Sequence, residues 1–152
     1  MNLDSQQTLR RIEQNDETMI KLQIGYHGDG DGFSSNRSSD FSQLGVAIGR
    51  NTHLRVFGVD LHYTALKATD RGFYDGLKHN TSINELNIDC NNRGIIGEVG
   101  QEILKSYQDN SHLTRLSITT CYLPKWGRPF SCHNNEQLCK SQTNFYNVQQ
   151  YF

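Results

Sequence analysis

Four stretches of the chain place apolar residues at the same offsets, +3, +6 and +8, from a shared polar residue. Asn51 is followed by Leu54, Phe57 and Val59; Asn80 by Ile83, Leu86 and Ile88; Asn110 by Leu113, Leu116 and Ile118. Asp16 opens a weaker copy with Met19, Leu22 and Ile24. In every copy the last two apolar residues flank one polar or small residue, the period-2 alternation of a half-buried strand. Short strands are therefore predicted at about 21–24, 55–59, 85–88 and 115–118. Upstream of each the spacing turns helical: Leu9 and Ile12; Phe41, Leu44 and Ile48; Phe73 and Leu77; Val99, Ile103 and Tyr107. Each set puts its apolar groups on one helical face. The helices are predicted to close at the shared Asn or Asp, residue types that tolerate the left-handed conformation used to leave a helix.

Taking Leu22, Phe57, Leu86 and Leu116 as equivalent, the successive steps are 35, 29 and 30 residues. The extra length of the first step falls in Gly28–Ser39, almost all turn-forming residues, which reads as a loop inserted between strand and helix. Residues 1–123 thus form an array of about four units, with 1–15 as an N-terminal cap helix. The tail, 124–152, breaks the pattern. Its opening stretch, Pro124–Pro129, cannot be a regular helix or a central strand. Yet it holds Trp126, Phe130, Phe145, Tyr146, Tyr151 and Phe152, and Leu138, Phe145 and Phe152 recur every seven residues, as in a final helix. The tail either caps the open core edge of the last repeat or marks where a longer array is cut.

The units Leu44–Asn51, Gly76–Asn80 and Leu116–Leu123 resemble the ribonuclease-inhibitor class of leucine-rich repeats, whose period of about 20–29 residues the two later steps approach. The resemblance covers about residues 9 to 123 and departs from the class after the strand, where His27, His62, Asn91 and Cys121 occupy its Asn/Cys position. It implies an α/β leucine-rich-repeat solenoid: a curved horseshoe segment with parallel strands on the concave face and helices on the convex face.

The 152-residue chain is one domain's worth of material, and its 15 basic against 16 acidic residues argue against nucleic acid as a partner. Met1–Glu17 has no apolar core of a secretory signal, and no window reaches the roughly 18 apolar residues of a membrane span. A cytoplasmic or nuclear protein without a signal peptide, and no membrane partner, is the expectation. Cys90, Cys121, Cys132 and Cys139 form no CxxC pair, so zinc-finger spacing is absent and reduced thiols are expected.

Candidate chemistry is sparse. Asp29, Asp31 and Asp40 hint at a calcium loop over 29–40, but Phe33 stands at position 5, Ser34 replaces the turn glycine, and an Asp replaces the bidentate Glu. His53 and His112 hold the same place in their repeats, just after the shared Asn, which fits a turn role. No Gly-x-Ser-x-Gly elbow, His-Glu-x-x-His pair or phosphate-binding glycine loop occurs, so no catalytic residue, no cofactor and no metal site is assigned. The sequons at Asn36 and Asn80 read as chance matches.

What is left is surface. Strand residues pointing away from the core would line the concave face: Lys21, Gln23 and, just beyond, Tyr26; then Asp60; then Glu85, Asn87 and Asp89; then Arg115, Ser117 and Thr119. Asp60, Glu85 and Asp89 lend the middle an acidic cast between Lys21 and Arg115, which suits a basic or mixed-charge protein segment. The expectation is a non-enzymatic protein–protein interaction module, monomeric or part of a longer array. The alternatives are a regulatory repeat protein acting on an enzyme such as a GTPase, and a metal-responsive version binding calcium in the 29–40 loop.

Overall fold

The computed structural model describes residues 1–25, 32–90 and 97–119, and the backbone of 143–146. In chain order the elements are α1 (Leu3–Glu13), β1 (Lys21–Ile24), β2 (Gly32–Phe33), α2 (Ser38–Arg50), β3 (Val56–Asp60), α3 (Arg71–His79), β4 (Glu85–Asp89), α4 (Glu98–Ser106), β5 (Arg115–Thr119) and β6 (Thr143–Tyr146). They build one six-stranded sheet in the order β2-β1-β3-β4-β5-β6. The architecture is mixed α/β and repeat-like. Neighbouring copies pair parallel and in register: Leu22, Phe57, Leu86 and Leu116 stand side by side, as do Ile24, Val59, Ile88 and Ile118. Parallel strands joined by crossovers of one hand, the rule for such sheets, carry their connecting helices on the same side. The core fills the space between. Both strand ladders, together with Ile12, Phe41, Leu44, Ile48, Phe73, Leu77 and Ile103, are buried in one cluster.

The turns that leave the helices are held by asparagine side chains. Asn80 is 1% exposed and directs its Nδ2 at the carbonyls of Ile48 (2.7 Å) and Asn51 (2.9 Å) of the preceding unit. Its Oδ1 accepts from the backbone N–H of Ser82 and Ile83, at 2.9 and 2.8 Å, in its own turn. Asn51 repeats the arrangement, donating to Ile12 O and accepting from His53 N and Leu54 N. Asn110 donates to Asn80 O and accepts from His112 N and Leu113 N. These bonds replace the left-handed exit expected from the sequence, because Asn51 (φ −75°, ψ 137°) and Asn80 (φ −72°, ψ 129°) are extended. Asn is needed here for its donor and acceptor groups, not for its backbone tolerance.

The first unit carries one residue more. Ile12 lies four residues before Asp16, whereas Ile48 lies three before Asn51 and Leu77 three before Asn80. Asn15 absorbs the surplus: at φ 54° it is the one non-glycine residue with positive φ among those described. Its Oδ1 accepts from Thr52 N at 2.9 Å. Asp16 accepts from Thr18 N and from Arg11 Nε, and hydrogen bonds from Thr18 and Arg11 hold its carboxyl down at about 2.

α2 and α3 pack with their backbones in close approach. A Cβ on Gly45 would run into the Gly72 carbonyl and Phe73 Cα, and one on Gly76 into the Gly45 carbonyl. Gly45/Gly49 on α2 face Gly72/Gly76 on α3, each pair one turn apart. This approach closes the helix layer where the repeat is shortest.

Two further expectations need correction. The stretch Gly28–Ser39 is not all loop: Gly32 and Phe33 form β2, parallel to β1, and Phe33 is fully buried with its ring 5.6 Å from that of Phe41. The pattern of surrounding Gly, Ser and Asp hid one core aromatic. The seven-residue spacing in the tail does not mark a helix at Phe145, because Thr143–Tyr146 is a strand that runs antiparallel along the edge of β5.

Truncating Leu86 to Ala should destabilise the fold by about 2–5 kcal/mol in chemical denaturation; an unchanged midpoint would remove it from the core. The side-chain ladder gives a second expectation. Asn80→Gly, which any left-handed exit would welcome, should instead cost about 3 kcal/mol, since buried carbonyls and turn amides lose their partners. Asn80→Asp should cost at least as much, because it sets a carboxylate against two carbonyl oxygens. Wild-type stability in either variant would contradict the ladder.

Candidate partner-binding face

The strand residues that turn away from the core form three rows across the sheet. The first holds Lys21, Val56, Glu85 and Arg115; the second Gln23, Gly58, Asn87 and Ser117; the third Asp60, Asp89 and Thr119. Lys21 and Arg115 are exposed, and Gln23, Glu85, Asn87, Asp89 and Thr119 are half-buried. Asp60 and Ser117 are buried, at 7% and 5% exposure, so neither offers a partner much surface. Tyr26 lies outside the described residues. Nine of the ten residues assigned from sequence therefore share one side of the sheet, opposite the helices.

The face is less acidic than the sequence suggests. Glu85 Oε2 takes an ion pair from Arg115 Nη1 at 3.0 Å across the β4–β5 ladder, and its Oε1 accepts from Asn87 Nδ2 at 3.0 Å. In the second row Gly58 has no side chain, and the Gln23 carboxamide lies over it. The result is a polar surface of charges and amides in strand register, with no apolar ladder like the one on the helix side.

At the C-terminal rim of the strands the chain turns into the β3–α3 loop. Asp60 Oδ1 accepts from His62 N at 2.9 Å, which explains its burial: the carboxylate shapes the loop. His62 and Tyr63 stack edge to face, centroids 4.6 Å apart and planes at 82°. In the sequence His62 falls on a degenerate repeat position, and Tyr63 follows it outside the repeat pattern. The usable signal was an aromatic residue off the repeat's apolar offsets.

The calcium candidates divide. Asp40 lies not in a loop but in the first turn of α2, 4% exposed. Its carboxylate accepts from Arg37 Nη2 (2.8 Å), Arg37 Nε (3.1 Å) and the Ser35 hydroxyl. Burial alone would raise its pKa, but Ser35 and Arg37 outweigh that and hold it low. Asp29 and Asp31 lie outside the described residues, as do Cys121, Cys132 and Cys139. Cys90 is buried. Among the described residues no three His, Cys, Asp or Glu side chains are grouped to hold a metal ion, and no helix is long and apolar enough to cross a membrane.

No family model matches the chain. No curated protein matches it either. Solved structures do. One is titled leiomodin-1 actin-binding site 2 (19% identity, TM-score 0.51), and the match covers 74% of this chain and 60% of that one. Another is the C-terminal domain of a Caenorhabditis elegans tropomodulin (13% identity, TM-score 0.47), with 79% of this chain and 85% of that one covered. The chain thus spans less than two thirds of the leiomodin-1 structure. The likeness is one of fold. It also corrects the ribonuclease-inhibitor class read from the sequence, since the matching fold is the leiomodin-1 one. Two of the units that suggested that class, Leu44–Asn51 and Gly76–Asn80, sit on helices and their exits, and the third begins in β5; their Leu and Asn serve stacking of strand–helix units in general.

The Glu85–Arg115 pair is largely solvent-facing, with the Arg115 side chain 59% exposed. A double-mutant cycle with Glu85→Gln and Arg115→Gln should therefore give a coupling of only about 0.5 kcal/mol at low salt, fading as salt rises. A coupling several times larger would mean that the face is sealed from water.

Proposed function

We propose that this chain is a non-enzymatic protein-interaction module that seats its partner on the open face of the sheet. The observation that supports this most is the contrast between the two sides. Behind the sheet the helix exits at Asn51, Asn80 and Asn110 are locked by the asparagine ladder, and α2 and α3 by close glycine packing. On the open side Lys21, Gln23, Glu85, Asn87, Asp89 and Arg115 project in register with part of their surface in water. The buried ladder sets that alignment, and what it leaves facing water is a row of charges and amides that a partner can reach.

The finer reading is a leucine-rich-repeat-type solenoid whose open face is the concave one, since strands packed closer than the helices behind them curve the array toward the sheet. β6 then serves as the cap that occupies the edge of β5. The leiomodin-1 structure is named for an actin-binding site, which makes actin the first partner to test for a chain of similar fold. The mixed charges of the face, positive at Lys21 and Arg115 and negative at Glu85 and Asp89, suit a partner of mixed or basic charge.

Affinity capture from a cell extract with mass spectrometry, alongside co-sedimentation with filamentous actin, tests the reading when done with three forms of the protein. Asp89→Lys, on the open face, should weaken the captured partner about tenfold. Asp75→Lys should leave binding unchanged, because Asp75 is exposed on α3, on the opposite side. Asp40 would make a poor control, being buried against Arg37. Equal binding by all three forms would overturn the open-face seat.

A further inference from the structure

The turns of the second and third units lie side by side on one rim of the molecule, where helices end and strands begin. Asn80 Nδ2 and Ser82 Oγ both donate to the Asn51 carbonyl, at 2.9 and 3.1 Å, and Asn84 N donates to the Arg55 carbonyl at 3.0 Å. The Arg55 guanidinium bridges the same seam. Its Nη1 donates to the Thr52 carbonyl at 3.0 Å in its own turn and to the Ser82 carbonyl at 3.2 Å in the next. Those two bonds orient the planar group while the residue stays exposed, and Nε and Nη2 have no partner among the described residues.

Further cations share this rim. Arg50 ends α2, and Lys78 lies in the last turn of α3, beyond the close approach of the two backbones at Gly49 and Gly76. Both are exposed, and neither has an ion-pair partner among the described residues. His53 and His79 belong to the same two helix exits. No acidic residue occurs between Asp40 and Asp60, or between Asp75 and Glu85. Asp75, one turn before Lys78 and His79, makes no ion pair with either, and Glu85 is taken by Arg115. The other carboxylates of the rim belong to the flanking units: Asp16, held by Arg11, and Glu17 in the first, and Asp109 in the fourth. A helix dipole favours cations in the last turn, which accounts for Arg50 and Lys78. It does not account for Arg55, which lies outside any helix and spends only one of its nitrogens on the seam.

We propose that this rim binds an acidic segment of a partner protein, with one carboxylate seated on the free Nε–Nη2 edge of Arg55 and its acidic neighbours drawn by Arg50 and Lys78. That edge of a guanidinium presents two parallel N–H groups that match the two oxygens of a carboxylate. The carbonyl bridge has already fixed the fork, so binding costs little further side-chain entropy. Glu17 and Asp109 repel an anionic chain on either flank and limit the seat to a short run. The site is separate from the open-face seat and does not rest on it.

The test is a titration of the isotope-labelled full chain with an oligoglutamate peptide, following backbone amides and the arginine Nε–Hε signals. Expected are shifts at the Arg55 Nε–Hε group and at the amides of residues 50–55 and 78–82, with affinity falling as salt rises. Arg55→Gln should bind about tenfold more weakly, and Arg55→Lys nearly as weakly, because it keeps the charge and loses the fork. The double variant Arg50→Gln/Lys78→Gln removes no bond of the fold and should also weaken binding. No binding of the peptide, wild-type affinity in Arg55→Gln or in Arg55→Lys, or shifts confined to Lys21, Gln23 and Asn87 would overturn the proposal. Inorganic phosphate binding as tightly as the peptide would overturn it too, since the rim would then hold any anion and not a segment. The open-face seat is judged apart from this, by Asp89→Lys.

Discussion

A chain that stacks strand–helix units must leave each helix and enter the next strand within a few residues, inside the fold. That exit strands helix-end carbonyls and turn amides in a place with little water. Here one side-chain type answers both needs. Each carboxamide of Asn51, Asn80 and Asn110 gives its N–H groups to the unit before and takes N–H groups from its own turn. Each unit is thereby bonded to its predecessor at a fixed height. The strands fall into register as a consequence, with Leu86 beside Phe57 and Leu116 beside Leu86. The same logic explains the first unit. There Asp16 stands in the Asn position as a pure acceptor, held by Thr18 N and Arg11 Nε within its own unit.

Register has a functional consequence. Because a strand alternates sides, fixing the buried ladder also fixes what faces the other way. Lys21, Glu85 and Arg115 share one row and Gln23, Asn87 and Ser117 the next, although their positions in sequence are some thirty residues apart. The Gly45/Gly76 contact between α2 and α3 serves the same end on the far side, closing the helix layer and leaving the sheet face as the accessible surface. On the proposed reading the ladder gives rigidity and the open face gives contact.

Much of this was legible in the sequence because burial writes itself as period. The offsets from each Asn located β1, β3, β4 and β5 to within a residue and named their buried ladder, and the i, i+4 sets located the helices. What escaped was local. Phe33 sits in a run of Gly, Ser and Asp with no periodic neighbour, so nothing marked β2. The extended backbone of Asn51 and Asn80 could not be read from residue type, since Asn suits both a left-handed exit and a carboxamide bridge. The open face was half legible: alternation identified its residues, but not that the β3–α3 loop buries Asp60 against His62 N or that Arg115 pairs with Glu85. Tyr63 carried no periodic signal at all. The repeat subclass was misread because its markers were stacking residues, which many strand–helix arrays need alike.

The division between a locked ladder and an accessible face can be measured in one spectrum of side-chain carboxamides, recorded with and without the captured partner. The account expects the amide resonances of Asn51 and Asn80 to exchange slowly with water and to stay in place when the partner is added. Those of Gln23 and Asn87 should exchange quickly when alone and shift when the partner binds. The reverse pattern, with partner-induced shifts at Asn51 and Asn80 and none at Gln23 and Asn87, would contradict it.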